Sequence, residues 1–280
     1  MSRITQQFQA LKKRGRRALI PYITAGDPEP WVTVPLMHAL VKAGADVLEL
    51  GVPFSDPMAD GPVIQRASER ALKNHVRLQD VLGMVREFRL KDDMTPVVLM
   101  GYLNPIEVTG YERFASQAAA AGVDGVLTVD LPPEEAVAFT PALRQHNLDA
   151  IFLLAPTSNV ERIERIAVAA SGFIYYVSLR GVTGAAHMDV NEVEAKLKTI
   201  RRHTRLPLGV GFGINSPEIA ATMARIADAV IVGSAIVKRI EELAGSPDRI
   251  LTEVPAFLAR LREAMDAATA STEQASGGRA

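Results

Sequence analysis

Eight short apolar runs, separated by segments with helical spacing, limit most strongly how this chain can fold. The runs are rich in Val, Ile and Leu and do not alternate with polar residues, which is typical of strands covered on both faces in a parallel sheet. Strand–helix–strand units of this kind are joined by right-handed crossovers. The runs span 18–24, 46–51, 96–101, 124–129, 149–155, 173–178, 207–212 and 228–233.

Eight strands with intervening helices predict an α/β fold, a closed (β/α)8 barrel. An open doubly wound sheet is the alternative, and the lack of a G-x-G-x-x-G motif at the first helix makes it less favoured. A weak internal repeat supports the barrel, since the segments 43–50, 121–128 and 226–233 each end a helix and enter a strand through an Asp. Ile4, Phe8 and Leu11 share one side of an additional N-terminal helix.

The domain organisation follows from these patterns. We expect residues 1–266 to form a single barrel domain, because (β/α)8 barrels of about 250 residues occur as one unit. The segment 267–280 is small, polar and Gly-containing, which predicts a disordered C-terminal tail.

Composition excludes several functional classes. The chain has 31 Lys and Arg against 32 Asp and Glu, a net charge of −1, which argues against coating nucleic acid or an acidic membrane. The absence of Cys excludes thiol catalysis, thiolate metal sites and disulfides. Neither a membrane-spanning apolar run nor a secretory signal is present, so a cytoplasmic location is expected.

Two carboxylates are candidates for chemistry, because barrel active sites lie at the carboxyl ends of the strands. Glu49 is inside the second apolar run, where it is either bonded to a neighbouring polar group or held neutral as a general acid/base. Asp60 precedes Gly61 and Pro62, a pattern typical of a helix cap. It also lies in a loop that can reach over the barrel mouth.

Glycines after the last two strands indicate a phosphate site. Gly213 follows strand seven, and Gly233 with Ser234 follows strand eight and opens a helix. Barrels often hold phosphate with the backbone N–H groups of these two loops, although each motif alone is also compatible with a tight turn. After strand six, Gly181 and Gly184 bracket Thr183, which suggests a mobile lid or an ordinary flexible loop.

The absence of other catalytic residue types at the strand ends argues against further kinds of reaction mechanism. No lysine ends a predicted strand, so a Schiff base is disfavoured. Four of the five histidines lie in helical patterns, which disfavours a multi-histidine metal centre, and no G-x-S-x-G elbow occurs. The residues therefore predict a lyase or isomerase that moves protons with carboxylates on a phosphate-bearing substrate and needs neither metal nor cofactor.

The segment LELGVPFSDPMADGPVIQ (48–65) closely resembles the tryptophan synthase alpha-subunit family. The similarity continues through PYITAGDP, MGYLNPI, VDGVLTVDLPPEE, GVTGA, GFGI and GSAIVK, in order, over residues 1–265. It implies a lyase that cleaves indole-3-glycerol phosphate to indole and glyceraldehyde 3-phosphate in tryptophan biosynthesis. It also implies that Glu49 is the acid/base, that Asp60 accepts a hydrogen bond from the indole N–H, and that Tyr175 lies near the reacting centre.

The resemblance also implies binding residues and a partner. The implied phosphate site consists of Gly184, Phe212, Gly213, Gly233 and Ser234, and the implied indole pocket of Tyr22, Ile64, Met100, Leu127 and Phe212. The implied partner is a pyridoxal-phosphate β subunit in an α2β2 complex, with the cofactor only in that partner. The implied contact region includes Pro53, Asp56, Asn104 and Pro132, and closure of a lid containing Gly181, Thr183 and Gly184 couples the two subunits.

Other phosphate-binding barrels and a barrel without chemistry remain as alternatives. Most sugar-phosphate epimerases need a strand-end metal set, and indole-glycerol-phosphate synthase needs a catalytic lysine, neither of which the sequence offers. A binding or activating subunit is disfavoured because both Glu49 and Asp60 are present.

Overall fold

The predicted barrel is present in a computed structural model, which describes residues 1–178, 189–211 and 213–277, with side chains to residue 270. Eight parallel strands pair in chain order, and β8 closes the barrel by pairing with β1. Each strand lies within one of the eight predicted runs, which confirms the (β/α)8 fold. The strands are β1 Ala18–Thr24, β2 Leu48–Gly51, β3 Val97–Gly101, β4 Gly125–Thr128, β5 Asp149–Leu154, β6 Ile174–Val177, β7 Leu208–Gly211 and β8 Ala229–Val232.

Helices surround the barrel, and twelve of them lie within the described residues. No helix in this part of the chain is both long enough and apolar enough to cross a membrane. The helices are α1 Arg3–Lys13, α2 Pro30–Lys42, α3 Pro62–Lys73, α4 Leu78–Arg89, α5 Leu103–Thr109, α6 Tyr111–Ala121, α7 Phe139–Gln145, α8 Val160–Ala169, α9 Val190–Ile200, α10 Pro217–Ile226, α11 Ser234–Glu242 and α12 Pro247–Gly277.

The amino-terminal end of the barrel is closed by α1. Ser2 caps this helix by accepting a hydrogen bond from the backbone N–H of Thr5. Ile4, Phe8 and Leu11 are buried and belong to the same cluster as the side chains that fill the barrel interior, which confirms the predicted amphipathic face. The other residues of that cluster lie on the strands or, for Val47 and Phe173, immediately before one: Ala18, Ile20, Val47, Val98, Leu127, Ile151, Phe173, Ala229 and Ile231.

The repeated Asp before a strand has a structural role at this same end. The carboxylates of Asp46, Asp124 and Asp228 each accept a hydrogen bond, at 2.8–2.9 Å, from a backbone N–H near the start of another strand. The bonds fix the register of neighbouring strands where the ladder begins. The donors are Leu19, Val97 and Leu208, respectively.

The C-terminal helix extends beyond the predicted domain boundary. α12 continues to Gly277, whereas disorder was predicted from residue 267. Ala268 and Thr269 are buried one turn after the buried Met265, so the apolar face of the helix continues past residue 266. Helical structure therefore continues past residue 266, the expected end of the barrel domain.

Candidate active site

A cavity of about 280 Å³ opens at the carboxyl ends of the strands. It brings together Glu49 from β2, Asp60 from the loop before α3, Tyr175 from β6 and Ser234 at the start of α11. The complete described lining is Tyr22, Glu49, Ala59, Asp60, Gly61, Ile64, Met100, Val129, Leu153, Tyr175, Val177, Gly213, Ile214, Asn215, Ile231, Gly233, Ser234 and Ala235.

Glu49 is a buried carboxyl group that has no compensating charge among the described residues. Its side chain faces the cavity, the residue is 1% exposed, and its buried Oε1 has no hydrogen-bond partner among the described residues. Burial, and secondarily the negative charge of Asp60, raise the pKa of Glu49 to about 8. The group is therefore mostly protonated near neutral pH and can donate a proton to a bound molecule, after which it can accept one.

Asp60 is held by a tyrosine that the sequence reasoning did not single out. The hydroxyl of Tyr102 donates to Asp60 Oδ2 at 3.0 Å and accepts from the backbone N–H of Ala59 at 2.9 Å. Burial raises the pKa of Asp60, while the Tyr102 hydrogen bond opposes that rise. Tyr102 immediately follows the end of β3, so the strand-end rule that selected Glu49 could have found it.

The structure does not support the interpretation of Asp60 as a helix cap. Gly61 is the N-cap residue of α3, and no side chain provides the capping hydrogen bond. The Asp60 backbone N–H instead donates to the carbonyl oxygen of Pro57 within the preceding loop. The Asp60 side chain is thus available to the cavity, and Pro62 in the first turn starts the helix without a side-chain cap.

Two tyrosines stand beside Glu49 because glycines leave room for them. Tyr22 on β1 is the register partner of Glu49, and its hydroxyl shares a 3.2 Å hydrogen bond with Thr24. A Cβ atom on Gly51 would collide with the hydroxyl of Tyr22, and one on Gly211 would collide with the hydroxyl of Tyr175. Burial and the nearby carboxylates raise the pKa values of both tyrosines, so both stay neutral hydrogen-bond donors.

One side of the cavity is formed by backbone suited to an anion. Gly213 has a φ of 75°, a left-handed conformation that glycine adopts without strain. Gly233 and Ser234 lie at the start of α11, where the first N–H groups have no partner within the helix and the helix dipole is positive. No Lys or Arg is among the described lining residues. Among the described residues, backbone N–H groups and the Ser234 hydroxyl are therefore suited to hold a phosphate there.

The apolar walls agree in part with the predicted indole pocket. Tyr22, Ile64 and Met100 line the cavity, but Leu127 does not. Leu127 is fully buried among the barrel-interior side chains, and the residue two positions later, Val129, lines the cavity in its place. Residues two apart on a strand face the same way, so the sequence selected the right side of β4 but a deeper layer. Leu153 and Ile231, which the sequence reasoning also missed, complete these walls.

The residues expected to contact a partner are not among those that line the cavity. Asp56 and Asn104 are exposed, Pro132 is half-buried, and Pro53 is buried. Phe54, next to Pro53, stacks on the ring of Tyr102 with centroids 5.0 Å apart. Direct contacts therefore connect the loop at 53–56, through Phe54 and Tyr102, to Asp60.

Some predicted site residues cannot be placed. Gly181, Thr183 and Gly184 of the predicted lid, together with Phe212, lie outside the described residues. Within the described part of the chain, no group of three or more His, Asp or Glu side chains could hold a metal ion.

Known proteins with similar sequences identify the family to which this chain belongs. The family model described as "Tryptophan synthase alpha chain" matches residues 8–267. The chain belongs to the tryptophan synthase alpha chain family. A tryptophan synthase alpha chain from Thioalkalivibrio sulfidiphilus is 64% identical over 266 residues, which cover 95% of this chain and 100% of that one. One from Nitrosococcus oceani is 63% identical over 267 residues, covering 95% and 98%.

Solved structures of the tryptophan synthase alpha chain family share the fold. The crystal structure of tryptophan synthase subunit alpha from Legionella pneumophila str. Paris has 50% identity and a TM-score of 0.89, covering 95% of this chain and 99% of that chain. A Mycobacterium tuberculosis tryptophan synthase structure has 38% identity and a TM-score of 0.85, covering 94% and 98%. The region matched by the tryptophan synthase alpha chain family includes every described residue that lines the cavity.

Proposed function

We propose that this chain is a lyase of tryptophan biosynthesis that cleaves indole-3-glycerol phosphate to indole and glyceraldehyde 3-phosphate. The proposal rests on the buried Glu49 carboxyl group, which faces the same cavity as Asp60 and whose Oε1 has no hydrogen-bond partner among the described residues. Membership of the tryptophan synthase alpha chain family supports the choice of substrate.

The phosphate, the indole ring and the glycerol carbons of this substrate each fit a different region of the cavity. The phosphate binds to the backbone N–H groups around Gly213 and Gly233 and to Ser234, at the start of α11. The indole ring lies against Tyr22, Ile64 and Met100, with its N–H directed at Asp60. The glycerol carbons are then beside Glu49 and Tyr175.

The reaction requires two proton movements. Protonated Glu49 donates its proton to C3 of the indole, and Asp60 accepts a hydrogen bond from the ring N–H and stabilises the positive charge that develops there. The Glu49 carboxylate then removes the proton of the glycerol hydroxyl next to C3. The carbon–carbon bond breaks, its electron pair restores the aromatic indole, and the hydroxyl carbon becomes the aldehyde. Glu49 ends protonated, as it began.

Two carboxyl groups with different environments divide these roles. Glu49 has a pKa of about 8 and is the proton donor at neutral pH. The hydrogen bond from Tyr102 opposes the rise in the pKa of Asp60, which favours the carboxylate that the ring N–H needs. Pairs of titratable groups separated in this way are typical of acid/base sites.

We further propose that the chain acts in the cytoplasm as the α subunit of an α2β2 complex and passes indole to a pyridoxal-phosphate β subunit. The exposed loop that carries Asp56 and the residues around Asn104 and Pro132 form the contact surface. The contacts from Phe54 through Tyr102 to Asp60 give docking a direct route to the catalytic carboxylate. The cofactor is then needed only in the partner.

The decisive experiment measures indole release from indole-3-glycerol phosphate, with and without a tryptophan synthase β subunit. We expect slow release by the chain alone, faster release with the partner, and loss of release in Asp60→Asn by about 10²–10³-fold, the effect of removing one group that stabilises the developing charge. Thermal unfolding of Asp60→Asn serves as the control for folding. No turnover in the presence of the partner would favour a barrel without chemistry, and equal rates with and without it would contradict the proposed coupling.

A further inference from the structure

A second cavity, at the opposite end of the barrel, concentrates positive charge. It has a volume of about 410 Å³ and lies between α1, the segment that follows it, and the loop before β7. Five cationic side chains line it, namely Lys12, Arg16, Arg17, Arg201 and Arg205. Asp228 is the single carboxylate among its described lining residues.

Only part of this charge is neutralised within the described structure. Arg16 is paired with Asp266 at 3.0 Å, and Arg201 is paired with Asp228 at 2.7 Å. Lys12, Arg17 and Arg205 have no carboxylate partner among the described residues. Like charges collected around one cavity repel each other, and this excess is local because the whole chain has a net charge of −1.

The floor of the cavity is apolar. Phe8 and Leu11 contribute from α1, and Leu206 and Pro207 contribute from the segment entering β7. The ring of Phe8 is fixed by its contact with Phe173 in the barrel interior, with centroids 5.7 Å apart. The site therefore offers an ordered apolar surface beneath a cationic rim.

We propose that this cavity binds an organic phosphate whose apolar body rests on Phe8 and Leu206 and whose phosphates are held by Lys12, Arg17 and Arg205. Guanidinium groups match phosphate oxygens in bidentate geometry, and an ammonium group adds a compact charge. The volume is within the range of sites for ligands of nucleotide size, about 300–1,000 Å³. A single cavity of this size, on a chain whose overall charge is not basic, favours a small ligand over a nucleic acid strand. The site is distinct from the proposed active site at the other end of the barrel.

The test is titration calorimetry of the full chain with ADP, pyrophosphate and adenosine as probes. We expect ADP to bind with one-to-one stoichiometry, pyrophosphate to bind more weakly, and adenosine not to bind measurably. The double variant Lys12→Gln/Arg205→Gln should weaken ADP binding by at least about 30-fold, since each charged hydrogen bond contributes about tenfold. The matched control is Lys13→Gln/Arg202→Gln, because both residues are exposed neighbours that do not line the cavity. It should change binding by less than about threefold.

Several results would overturn the proposal. Equal weakening in the two double variants would indicate general attraction to a basic surface. Failure of ADP to bind, including the case in which a single-stranded oligonucleotide binds instead, would exclude a small-molecule site. Competition of ADP with indole-3-glycerol phosphate in the indole-release assay, without any effect of Lys12→Gln/Arg205→Gln, would place the probe in the Glu49 cavity. Thermal melting checks that both double variants are folded.

Discussion

The two ends of the barrel treat buried carboxyl groups in opposite ways. At the amino-terminal end, Asp124 is 4% exposed and accepts hydrogen bonds from Arg3, Arg89 and the backbone N–H of Val97 at 2.7–2.9 Å. At the carboxyl-terminal end, Glu49 is 1% exposed, and its Oε1 has no partner in the described structure. Both groups are removed from water, but only one has its charge compensated.

The difference separates a structural carboxylate from a chemical one. A buried charge that is paired and hydrogen-bonded stabilises one arrangement of its neighbours, as Asp46 also does with Arg262 and the N–H of Leu19. A buried carboxyl group without partners stays protonated and opposes folding whenever it must ionise. Such a group is expected where a substrate supplies the missing partner, and Glu49 faces the cavity in which that substrate would lie.

The sharpest test of the comparison is Glu49→Gln. The amide has nearly the same shape but cannot exchange a proton, so we expect indole release to fall by about 10²–10⁴-fold while the folded structure is retained. Steady-state kinetics with the β subunit present give the rate, and circular dichroism with thermal melting gives the stability. Near-normal turnover would show that another group carries the proton.

Asp124→Asn is the corresponding substitution at the amino-terminal end of the barrel, and we expect it to change the stability of the fold rather than turnover. Loss of the charge leaves Arg89, only 11% exposed in its side chain, without its carboxylate. We expect the free energy of unfolding to decrease by about 2–4 kcal/mol, with little change in turnover below the melting temperature. Denaturant unfolding measures the first and the indole-release assay the second. If Asp124→Asn lowered turnover as strongly as Glu49→Gln, the separation of roles would be wrong.

The pH dependence sharpens the comparison in both function and stability. Because Glu49 must be protonated and its pKa is about 8, kcat should fall as pH rises above that value, approaching tenfold per unit. The pKa in the folded state is above its value in the unfolded chain. The folded chain therefore binds the extra proton between the two values. The Glu49 contribution to stability is lost as pH rises from the unfolded pKa through the folded pKa of about 8, and it does not change further above that.

Glu49→Gln should remove this contribution. Its melting temperature relative to the parent chain should therefore increase between pH 5 and pH 9. Parallel melting curves for the two chains over that range would contradict a raised pKa for Glu49.

The sequence predicted the barrel well because the evidence was repeated along the chain. Each strand is buried on both faces, so each produced a short continuous apolar run, and the runs appeared eight times. Glu49 was found for a related reason, since a carboxyl group inside such a run is conspicuous. In contrast, the sequence does not indicate how deep in the barrel a given side chain lies. Leu127 and Val129 are equally apolar and face the same side of β4, and only the assembled barrel shows that Val129 reaches the cavity.

The hydrogen-bond partner of Asp60 could not be predicted from the sequence either. The motif from Asp60 to Pro62 fits a helix cap by local rules, but the side chain of Asp60 bonds to Tyr102, 42 positions later in the chain. Local patterns describe what a residue can do with its neighbours in sequence. Contacts between loops from different strands depend on the closed barrel, which brings the ends of β2 and β3 side by side.

Tyr102→Phe is expected to have the smallest effect and extends the comparison to Asp60. Among the described residues, the Asp60 carboxylate has one side-chain hydrogen-bond partner, whereas that of Asp124 has two. The change removes the hydroxyl that bonds Asp60 and the Ala59 N–H but keeps the ring that stacks on Phe54. Loss of one hydrogen bond to a carboxylate should lower kcat/KM by about tenfold. It should also move the acidic limb of the pH profile upward, because that bond lowers the pKa of Asp60. Tyr111→Phe is a control on the same side of the barrel, since Tyr111 does not line the cavity. An unchanged acidic limb in Tyr102→Phe would mean that its hydroxyl only supports the loop and does not tune the carboxylate.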